Sequence, residues 1–234
     1  MSDQSLDLIH EIIREGELEV EGRFVDASNA TLFAHASHGE NSIPVIYKPI
    51  AGERPLWDFP DGTLANREVA AYRFSRELGL DLIPFTVLRN GPFGPGSVQQ
   101  WIDVPDELDI VALVRSEPDQ LRKLALFDAI ANNTDRKFGH ILQDKDGKYF
   151  GCDHGLCFHE EDKLRTVLWN WSGLPFRDDE ISTLRQALVS VDILSDLLSA
   201  DEIAALRDRI QELLSSGHFP EPSEDWPPVP FPPF

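Results

Sequence analysis

Two acidic residues lie at either end of a short predicted hairpin in the middle of the chain. Asp135 precedes the apolar pair Ile141-Leu142, and Asp153 follows a second apolar pair, Tyr149-Phe150. Between the pairs, Asp146-Gly147 is a turn signal, so the segment predicts two antiparallel strands joined by a tight turn. Folding the hairpin brings its outer ends together. The two carboxylates would then converge on one point, where they could hold a divalent cation and a substrate hydroxyl.

The neighbours of the two acids resemble the loops that carry out phosphoryl transfer. Protein kinases have a catalytic loop Asp-x-x-x-x-Asn and a metal-binding turn Asp-Phe-Gly. Here Asp135 is followed by Lys137 and His140, and Asp153 opens Asp-His-Gly. The loop matches at its Asp, and the turn matches at its Asp and Gly. Either motif alone is equally consistent with a helix end followed by an ordinary surface hairpin.

Composition indicates a folded protein that does not bind nucleic acid or insert into a membrane. The 234 residues are 41% hydrophobic, which suffices for one large domain or two small lobes. The formal net charge of -20 repels nucleic acid and anionic membrane surfaces. No apolar run approaches the ~18 residues of a membrane span, and the start is not a signal peptide. Cys152 and Cys157 lie too close together for a disulfide framework, so we expect a reducing, cytoplasmic location.

Apolar periodicity predicts a helix and then an antiparallel sheet in the first hundred residues. Helical spacing covers residues 5–15, and the alternation that follows is typical of strands. The predicted strands fall within 18–24, 30–33, 43–47, 84–88 and 97–102, with a stiff turn over 91–96. The segment 52–62 is rich in Pro and Trp, and we expect an ordered flap anchored by Trp57 and Phe59.

A lysine and a glutamate in this half are placed to form an ion pair. Lys48 lies at the end of the third predicted strand, just before Pro49, which cannot donate to a continuing ladder. Glu68 lies on the apolar face of a helix predicted over 64–78, with Thr63 as its N-cap. An unpaired buried carboxylate is costly. We therefore expect Lys48 to be the partner of Glu68.

Two further segments are predicted to contact a nucleotide. The small polar residues before the second strand, including Ser28 and Asn29, could offer backbone N–H groups to phosphates. We place a hinge between two lobes at 99–104, where the backbone of Gln100 and Ile102 could meet an adenine edge. Trp101 could line that pocket, although a core position is the simpler interpretation for this residue.

The second half of the chain is predicted to be mainly helical. Helical patterns fall within 107–114, 118–131, 180–188 and 201–214, the last opened by a capping box at 199–202. The segment 219–234 holds seven prolines and four aromatic residues, so it cannot be a helix or a central strand. A packed polyproline II segment is the structure that its aromatic residues favour.

The predicted strands, Lys48, Glu68, the Asp135 loop and the Asp-His-Gly turn follow one another along the chain in the order found in kinases. With these features, the chain resembles an atypical kinase of the phosphatidylinositol 3/4-kinase-like superfamily. That grouping includes the bacterial HipA-type kinases, and the secretory-pathway protein and sugar kinases look like relatives. The sharpest matches are Asn-Asn-Thr-Asp-Arg-Lys at 132–137, similar to the Asn-x-Asp-Arg-His loop of those families, and Tyr-Lys-Pro at 47–49. The segment 67–72 looks like their lysine-pairing helix. The resemblance spans residues 18–158.

This resemblance implies an α+β, bilobal protein-kinase-like fold. The antiparallel-sheet N-lobe would cover 1–103, the mainly helical C-lobe 104–218, and a Pro-rich tail 219–234. The implied activity is ATP-dependent transfer of the γ-phosphate to an alcohol, either a small polyol or a protein Ser or Thr. The implied cofactors are ATP and Mg²⁺ or Mn²⁺, and the partners are ATP and a hydroxyl-bearing substrate. The sequence does not specify the acceptor or the oligomeric state.

The resemblance also implies a role for each matched residue. Lys48 would bridge the nucleotide phosphates, and Glu68 would orient it. Asp135 would accept or orient the substrate hydroxyl, and Lys137 could stabilise charge on the transferred phosphoryl group. Asp153 would bind the metal.

Departures from the family pattern leave a second hypothesis open. Lys137 stands where these families usually have His, His140 replaces the metal-binding Asn, and the segment before the second strand lacks glycines. Imidazole is a poorer partner for Mg²⁺ than an oxygen ligand. These features are also consistent with a slow enzyme, a preference for Mn²⁺, or a nucleotide-binding pseudokinase that acts as a regulator.

Two other kinds of site receive weaker support. Cys152, His154, Cys157 and His159 could bind zinc, but their spacing is too tight for the usual paired knuckles. A nucleophilic hydrolase would need a Gly-x-Ser-x-Gly elbow or an equivalent motif, and the sequence has no such elbow.

Overall fold

An amphipathic helix and a five-stranded sheet form the first hundred residues. The computed structural model describes residues 3–24, 29–224 and 226–234, with only the backbone for residues 3 and 4. Helix α1 (Asp3–Glu15) buries Ile12 and Ile13 against the sheet. Its apolar residues recur at helical spacing, so one face packs and the other meets water. The helix predicted from that spacing is confirmed.

The sheet is antiparallel throughout. Its strands are β1 (Glu17–Arg23), β2 (Leu32–His38), β3 (Asn41–Pro49), β4 (Thr86–Gly91) and β5 (Gly94–Gln100), in the spatial order β1-β2-β3-β5-β4. The stiff turn predicted over 91–96 is wrong in extent, because Gly91 already pairs with Gly94. Lys48 lies opposite Ser97, one pair from the Pro49 end of the β3–β5 ladder.

Helix α2 (Leu64–Glu77) follows the flap and links the two halves of the molecule. Its residues Ala70, Ala71 and Phe74 are buried in the core of the helical half. Thr63 is not the side-chain cap that we predicted, because its hydroxyl donates to the Pro60 carbonyl instead. The carboxylate of Glu53 accepts from the backbone N–H groups of residues 64 and 65, so the cap comes from the flap.

The described residues of the second half form four α-helices and one hairpin, besides short 3-10 turns. The helices are α3 (Ile110–Arg115), α4 (Asp119–Ala131), α5 (Asp178–Ser190) and α6 (Ala200–Ser216), and the hairpin strands are β6 (Ile141–Gln143) and β7 (Tyr149–Gly151). Helix α4 is buried on most of its circumference and forms the centre of the larger core. The capping box predicted at Ser199 is present, and Gly217 ends α6 with a φ of 70°.

The Pro-rich tail packs along the helical half in an irregular conformation. The backbone N–H of Thr166 donates to the Pro228 carbonyl at 2.9 Å, and that of Phe138 donates to the Pro233 carbonyl at 2.8 Å. The Phe234 ring lies 5.2 Å from the Phe138 ring. The tail therefore lies beside the loop that contains Asp135. Across the described ranges, no helix has the length and apolar character needed to cross a bilayer.

The flap between β3 and α2 is ordered by one of its two predicted anchors. Phe59 is buried, with its ring under the guanidinium of Arg67 at 4.8 Å. Trp57 is 84% exposed, so its predicted role as an anchor is wrong. Its ring lies 4.8 Å from the Lys163 ammonium group, at the surface of the molecule.

A buried ion pair connects α2 to the helical half. The Arg67 guanidinium pairs with the Glu202 carboxylate on α6 and donates to the Cys157 carbonyl at 2.6 Å. Arg67 is 1% exposed. Removing one member of a buried pair leaves an uncompensated charge in a low-dielectric environment. This pair therefore fixes α2, and Glu68 with it, relative to the helices.

Replacing Arg67 with Met is expected to lower the free energy of unfolding by about 3–5 kcal/mol, because Glu202 would remain buried without a cation. Chemical denaturation at constant temperature measures this change. Arg73→Met is the matched control on the same helix, since the Arg73–Asp196 pair is exposed and such pairs contribute about 1 kcal/mol or less. If both variants lost the same free energy of unfolding, the buried Arg67–Glu202 pair would not be what fixes α2.

Candidate active site

Lys48 lies where the sheet half and the helical half of the molecule meet. Its ammonium group donates to Glu68 Oε1 on α2 and lies 2.8 Å from Asp153 Oδ1 in the Asp-His-Gly turn. The close approach of β5 helps to place the lysine, because Gly96 has no Cβ to collide with the Lys48 carbonyl oxygen. One cation is thus held between carboxylates from separate parts of the chain.

The Glu68 carboxylate fixes the Asp-His-Gly turn as well as the lysine. Its second oxygen accepts from the backbone N–H of His154 at 2.9 Å, and its side chain is only 3% exposed. Asp153 adopts a φ of 57°, a left-handed conformation that Asp tolerates better than most residues. The Asp153 side chain is 49% exposed, so much of the carboxylate remains accessible.

The charges of Lys48 and of the carboxylates beside it stabilise one another. Burial disfavours the Lys48 ammonium group, but the neighbouring carboxylates of Asp153 and Glu68 outweigh burial and raise the pKa of Lys48. Partial burial likewise disfavours the Asp153 carboxylate, but the Lys48 ammonium group outweighs it and lowers the pKa of Asp153 well below its usual range. Both groups are therefore charged at neutral pH.

Asp135 lies on the same cleft, on the loop that follows α4. Its backbone N–H donates to Asn133 Oδ1 at 3.0 Å, and its Oδ2 lies 3.3 Å from Lys137 Nζ. Burial raises the pKa of Asp135 above its ordinary value, although the ammonium of Lys137 opposes this shift. A partly desolvated carboxylate of this kind is a better proton acceptor than a fully exposed one.

His140 presents one ring nitrogen to Asp153. Its Nδ1 lies 2.9 Å from the Asp135 carbonyl oxygen, which can only accept, so Nδ1 carries the proton. Burial lowers the pKa of His140, which favours the neutral ring. The Nε2 lone pair then faces Asp153 Oδ2 at 3.3 Å. Metal-binding histidines commonly donate their other N–H to a backbone carbonyl in this way.

A buried network beneath the site was not found from the sequence. Asp128 on α4 accepts hydrogen bonds from the guanidinium of Arg136 and from Asn133 Nδ2 at 3.0 Å, and it is fully buried. Arg136 also donates to the carbonyls of His140 and Cys152, so it joins the Asp135 loop to the Asp-His-Gly turn. The sequence did contain one signal of this network. Asp128 is a carboxylate within the most apolar helix, α4, and a buried carboxylate needs a cationic partner.

The predicted site residues lie around two adjoining cavities. A cleft of about 280 Å³ is lined by Asn29, Lys48, Glu68, Asp135, Lys137, His140 and Asp153. A cavity of about 560 Å³ shares Lys48, His140 and Asp153 with this cleft and is also lined by Gln100, Trp101 and Ile102. Trp101 is half-buried there rather than in the core, with its Nε1 donating to Asp103. Ser28 lies outside the described residues.

The residues of the zinc hypothesis do not gather around one point. His154 Nε2 accepts from Arg136 at 2.7 Å, and His159 Nε2 lies 2.8 Å from the Asp58 carbonyl. In the ranges that the structure describes, no group of three or more His, Cys, Asp or Glu side chains could hold a metal ion. Asp153 and His140 would thus supply two ligands, and a bound metal would need further ligands from phosphate or water.

Both thiols are expected to be unreactive in the folded protein. Burial raises the pKa of Cys152 to about 12 and that of Cys157 well above its usual range. Because the thiolate is the reactive form, modification by a disulfide reagent at pH 8 should be at least about 100-fold slower than for a free thiol. Both thiols should react at once in denaturant, which is the control. Rapid modification of the native protein would contradict this description.

The fold is that of the protein kinases. The chain resembles the Golgi casein kinase with Mn/ADP bound at a TM-score of 0.58 and 12% identity, over 92% of this chain and 76% of that one. It resembles the Helicobacter pylori proinflammatory kinase CtkA at a TM-score of 0.51 and 13% identity, over 88% and 94% of the two chains. The prediction of an α+β, kinase-like fold is confirmed, whereas the domain limits at 103 and 218 stay a prediction.

Sequence comparison places the chain in a family. No family model matches the sequence. The chain is 40% identical over 265 residues to Protein Rv2133c of Mycobacterium tuberculosis, covering 96% of this chain and 95% of that protein. The chain therefore belongs to the family of Protein Rv2133c.

Proposed function

We propose that this protein is an ATP-dependent phosphotransferase that transfers the γ-phosphate to an alcohol. The observation that carries the proposal is the position of Lys48, held between Glu68 and Asp153 beside the Asp135 carboxylate. Phosphoryl transfer needs positioned cations for the phosphates and a carboxylate near the acceptor hydroxyl. The cleft offers both. An assignment within the phosphatidylinositol 3/4-kinase-like superfamily is part of this proposal.

Each polar residue of the cleft takes one role. Lys48 binds phosphate oxygens of ATP, and Glu68 holds it in place. Asp135 orients the acceptor hydroxyl and takes its proton, and Lys137 stabilises negative charge on the phosphoryl group in transfer. Asn29 lies at the phosphate end of the cleft and is held there by the Arg54 backbone N–H, which donates to its side chain at 2.8 Å.

Asp153 and His140 would hold a divalent cation. A carboxylate with an accessible face and an imidazole lone pair at 3.3 Å from it form a mixed oxygen and nitrogen donor set. Such a set suits Mn²⁺ better than Mg²⁺, which prefers oxygen ligands only. The similar Golgi casein kinase structure contains Mn/ADP, which supports this preference. When bound, the metal would neutralise charge on the nucleotide phosphates.

The larger cavity would take the base of the nucleotide. The backbone N–H groups of Gln100 and Trp101 already donate to the carbonyls of Phe85 and Pro44. Ile102 is therefore the best placed of the three predicted residues to meet an adenine edge. The half-buried Trp101 ring lines the same cavity and offers an aromatic surface to the base.

Replacing Lys48 with Met is expected to weaken ATP binding in Mn²⁺ by about 10- to 100-fold, because a charge-assisted contact to phosphate is lost. Calorimetric titration of ATP measures the change. Lys123→Met, on the exposed face of α4, is the matched control and should bind as the wild type does. Circular dichroism should show that both variants are folded. Unchanged affinity in a folded Lys48→Met variant would exclude the proposed phosphate site.

A further inference from the structure

A third cavity, of about 350 Å³, adjoins the cleft at Asp135. Asp135 and Leu156 line both spaces, just as Lys48, His140 and Asp153 are shared by the cleft and the base cavity. The three spaces thus follow one another, with Asp135 at the last junction. A volume of this size is at the lower end of small-ligand pockets.

Two indole rings flank this third cavity. Trp57 comes from the flap and Trp226 from the tail, and their rings lie 4.8 and 5.6 Å from the Lys163 ammonium group. Trp57 is 84% exposed, which is unusual for the largest apolar side chain. The face of an indole packs well against the C–H groups of a ring compound, while its edge leaves hydroxyls free for polar contacts.

The charges around the cavity compensate one another. Among the described residues, four charged side chains line it, two acids and two bases: Asp58, Asp135, Lys163 and Arg165. Lys163 lies 3.3 Å from Asp58 Oδ2 and 2.9 Å from the Glu161 carboxylate. Arg165 uses its guanidinium to hold the carbonyls of Pro227 and Val229. An anionic ligand would therefore gain little binding free energy from these charges. Hydroxyl groups, in contrast, could donate hydrogen bonds to the free lone pairs of the carboxylates.

The tail occupies the backbone donors that an extended peptide would need. The N–H groups of Phe138 and Thr166, on either side of the Asp135 loop, already donate to tail carbonyls at 2.8 and 2.9 Å. Peptide recognition in an extended conformation depends on such main-chain hydrogen bonds. Trp226 itself has a buried indole N–H with no acceptor among the described residues, and a ligand oxygen is the kind of group that would accept it.

We propose that this third cavity is the acceptor subsite and that the acceptor is a small uncharged polyol, such as a monosaccharide or a cyclitol. The inference rests on the proposed phosphotransferase function and narrows it. A hydroxyl oxygen of the polyol forms a bond to the γ-phosphorus as the bond from that phosphorus to the β,γ-bridging oxygen breaks. ADP leaves with the bond electrons, and the hydroxyl proton passes to Asp135 and then to water.

The first test measures the binding of candidate acceptors in the absence of nucleotide. Tryptophan fluorescence is the signal. The probes are D-glucose, D-ribose and myo-inositol, with glucose 6-phosphate and a Ser-containing peptide for comparison. We expect at least one uncharged polyol to change the emission saturably, and the Trp57→Ala variant to lose this change. Phe93→Ala, at an exposed β-turn far along the chain from the flap, is the matched control and should respond as the wild type does.

The second test is transfer from ATP labelled at the γ-phosphate, in Mn²⁺. The polyol that binds should be phosphorylated, and Trp57→Ala should raise its KM by about tenfold or more while the KM for ATP stays unchanged. Trp226→Phe, which keeps a ring in place, should have a smaller effect. Transfer to the peptide or the charged sugar but to no polyol would overturn the inference, as would an unchanged acceptor KM in Trp57→Ala.

Failure of this inference can be told apart from failure of the proposed function. If ATP binds in Mn²⁺ and is slowly hydrolysed but no polyol binds or is phosphorylated, the acceptor assignment is wrong and the phosphotransferase proposal survives. If ATP does not bind, the proposed function is wrong. The fluorescence titration without nucleotide then decides separately whether the third cavity takes a polyol.

Discussion

Replacing Asp135 with Asn is expected to lower the rate of phosphoryl transfer from ATP by about 10²- to 10⁴-fold, the usual contribution of a positioned general base. The amide has the same shape as the carboxylate but cannot take a proton from the acceptor hydroxyl. Burial already raises the pKa of Asp135, so the wild-type carboxylate is adapted to accept a proton. The rate is measured with γ-labelled ATP in Mn²⁺, with water as the acceptor if no better one is known.

The same experiment needs a control for folding and for nucleotide binding. ATP affinity should be unchanged in Asp135→Asn, because Asp135 does not line the cavity proposed for the base. Asp146→Asn, at the exposed turn between β6 and β7, should retain the wild-type rate. A wild-type rate in Asp135→Asn would remove Asp135 from the mechanism, whatever the other residues of the cleft do.

Replacing Asp153 with Asn is expected to abolish the dependence of ATP binding on metal, with a loss of affinity in Mn²⁺ of at least about 100-fold. Asp153 supplies the carboxylate of the proposed metal site, and His140 alone would be a weak site. The change also frees Lys48 from one of its two carboxylate partners. Metal-free binding should therefore be retained or slightly stronger, which separates loss of the metal from loss of the fold.

Titrations with and without Mn²⁺ provide the measurement. Asp208→Asn on the exposed face of α6 is the matched control, and its metal dependence should equal that of the wild type. If Asp153→Asn still binds ATP more tightly in Mn²⁺ than without metal, the ion lies elsewhere. His140 and the Asp-His-Gly turn would then have no role in metal binding.

Features that are encoded locally were predictable from the sequence. Helical and alternating periodicities located α1, α2 and the strands, because each buries one face against a neighbour. The pairing of Lys48 with Glu68 followed from one local fact, that a carboxylate on an apolar helix face needs a cation. The same argument applied to Asp128 would have found Arg136, since α4 is even more apolar.

Features that depend on distant parts of the chain were not predictable. Nothing near Thr63 indicates that Glu53 caps α2 in its place, because the flap must first fold back. Pro233 and Phe234 of the tail are more than ninety residues from Phe138 in the sequence, yet they lie beside the Asp135 loop. The exposure of Trp57 also depends on how the flap closes over residues 134–165. Periodicity carries no information about such contacts.

The most direct test of the account is the position of a metal and a nucleotide in a crystal grown with Mn²⁺ and a non-hydrolysable ATP analogue. We expect an anomalous manganese signal between Asp153 and His140, phosphate oxygens on Lys48, and the γ-phosphate facing Asp135. A nucleotide bound elsewhere, or manganese away from Asp153 while the analogue occupies the cleft, would contradict the proposed phosphotransferase site.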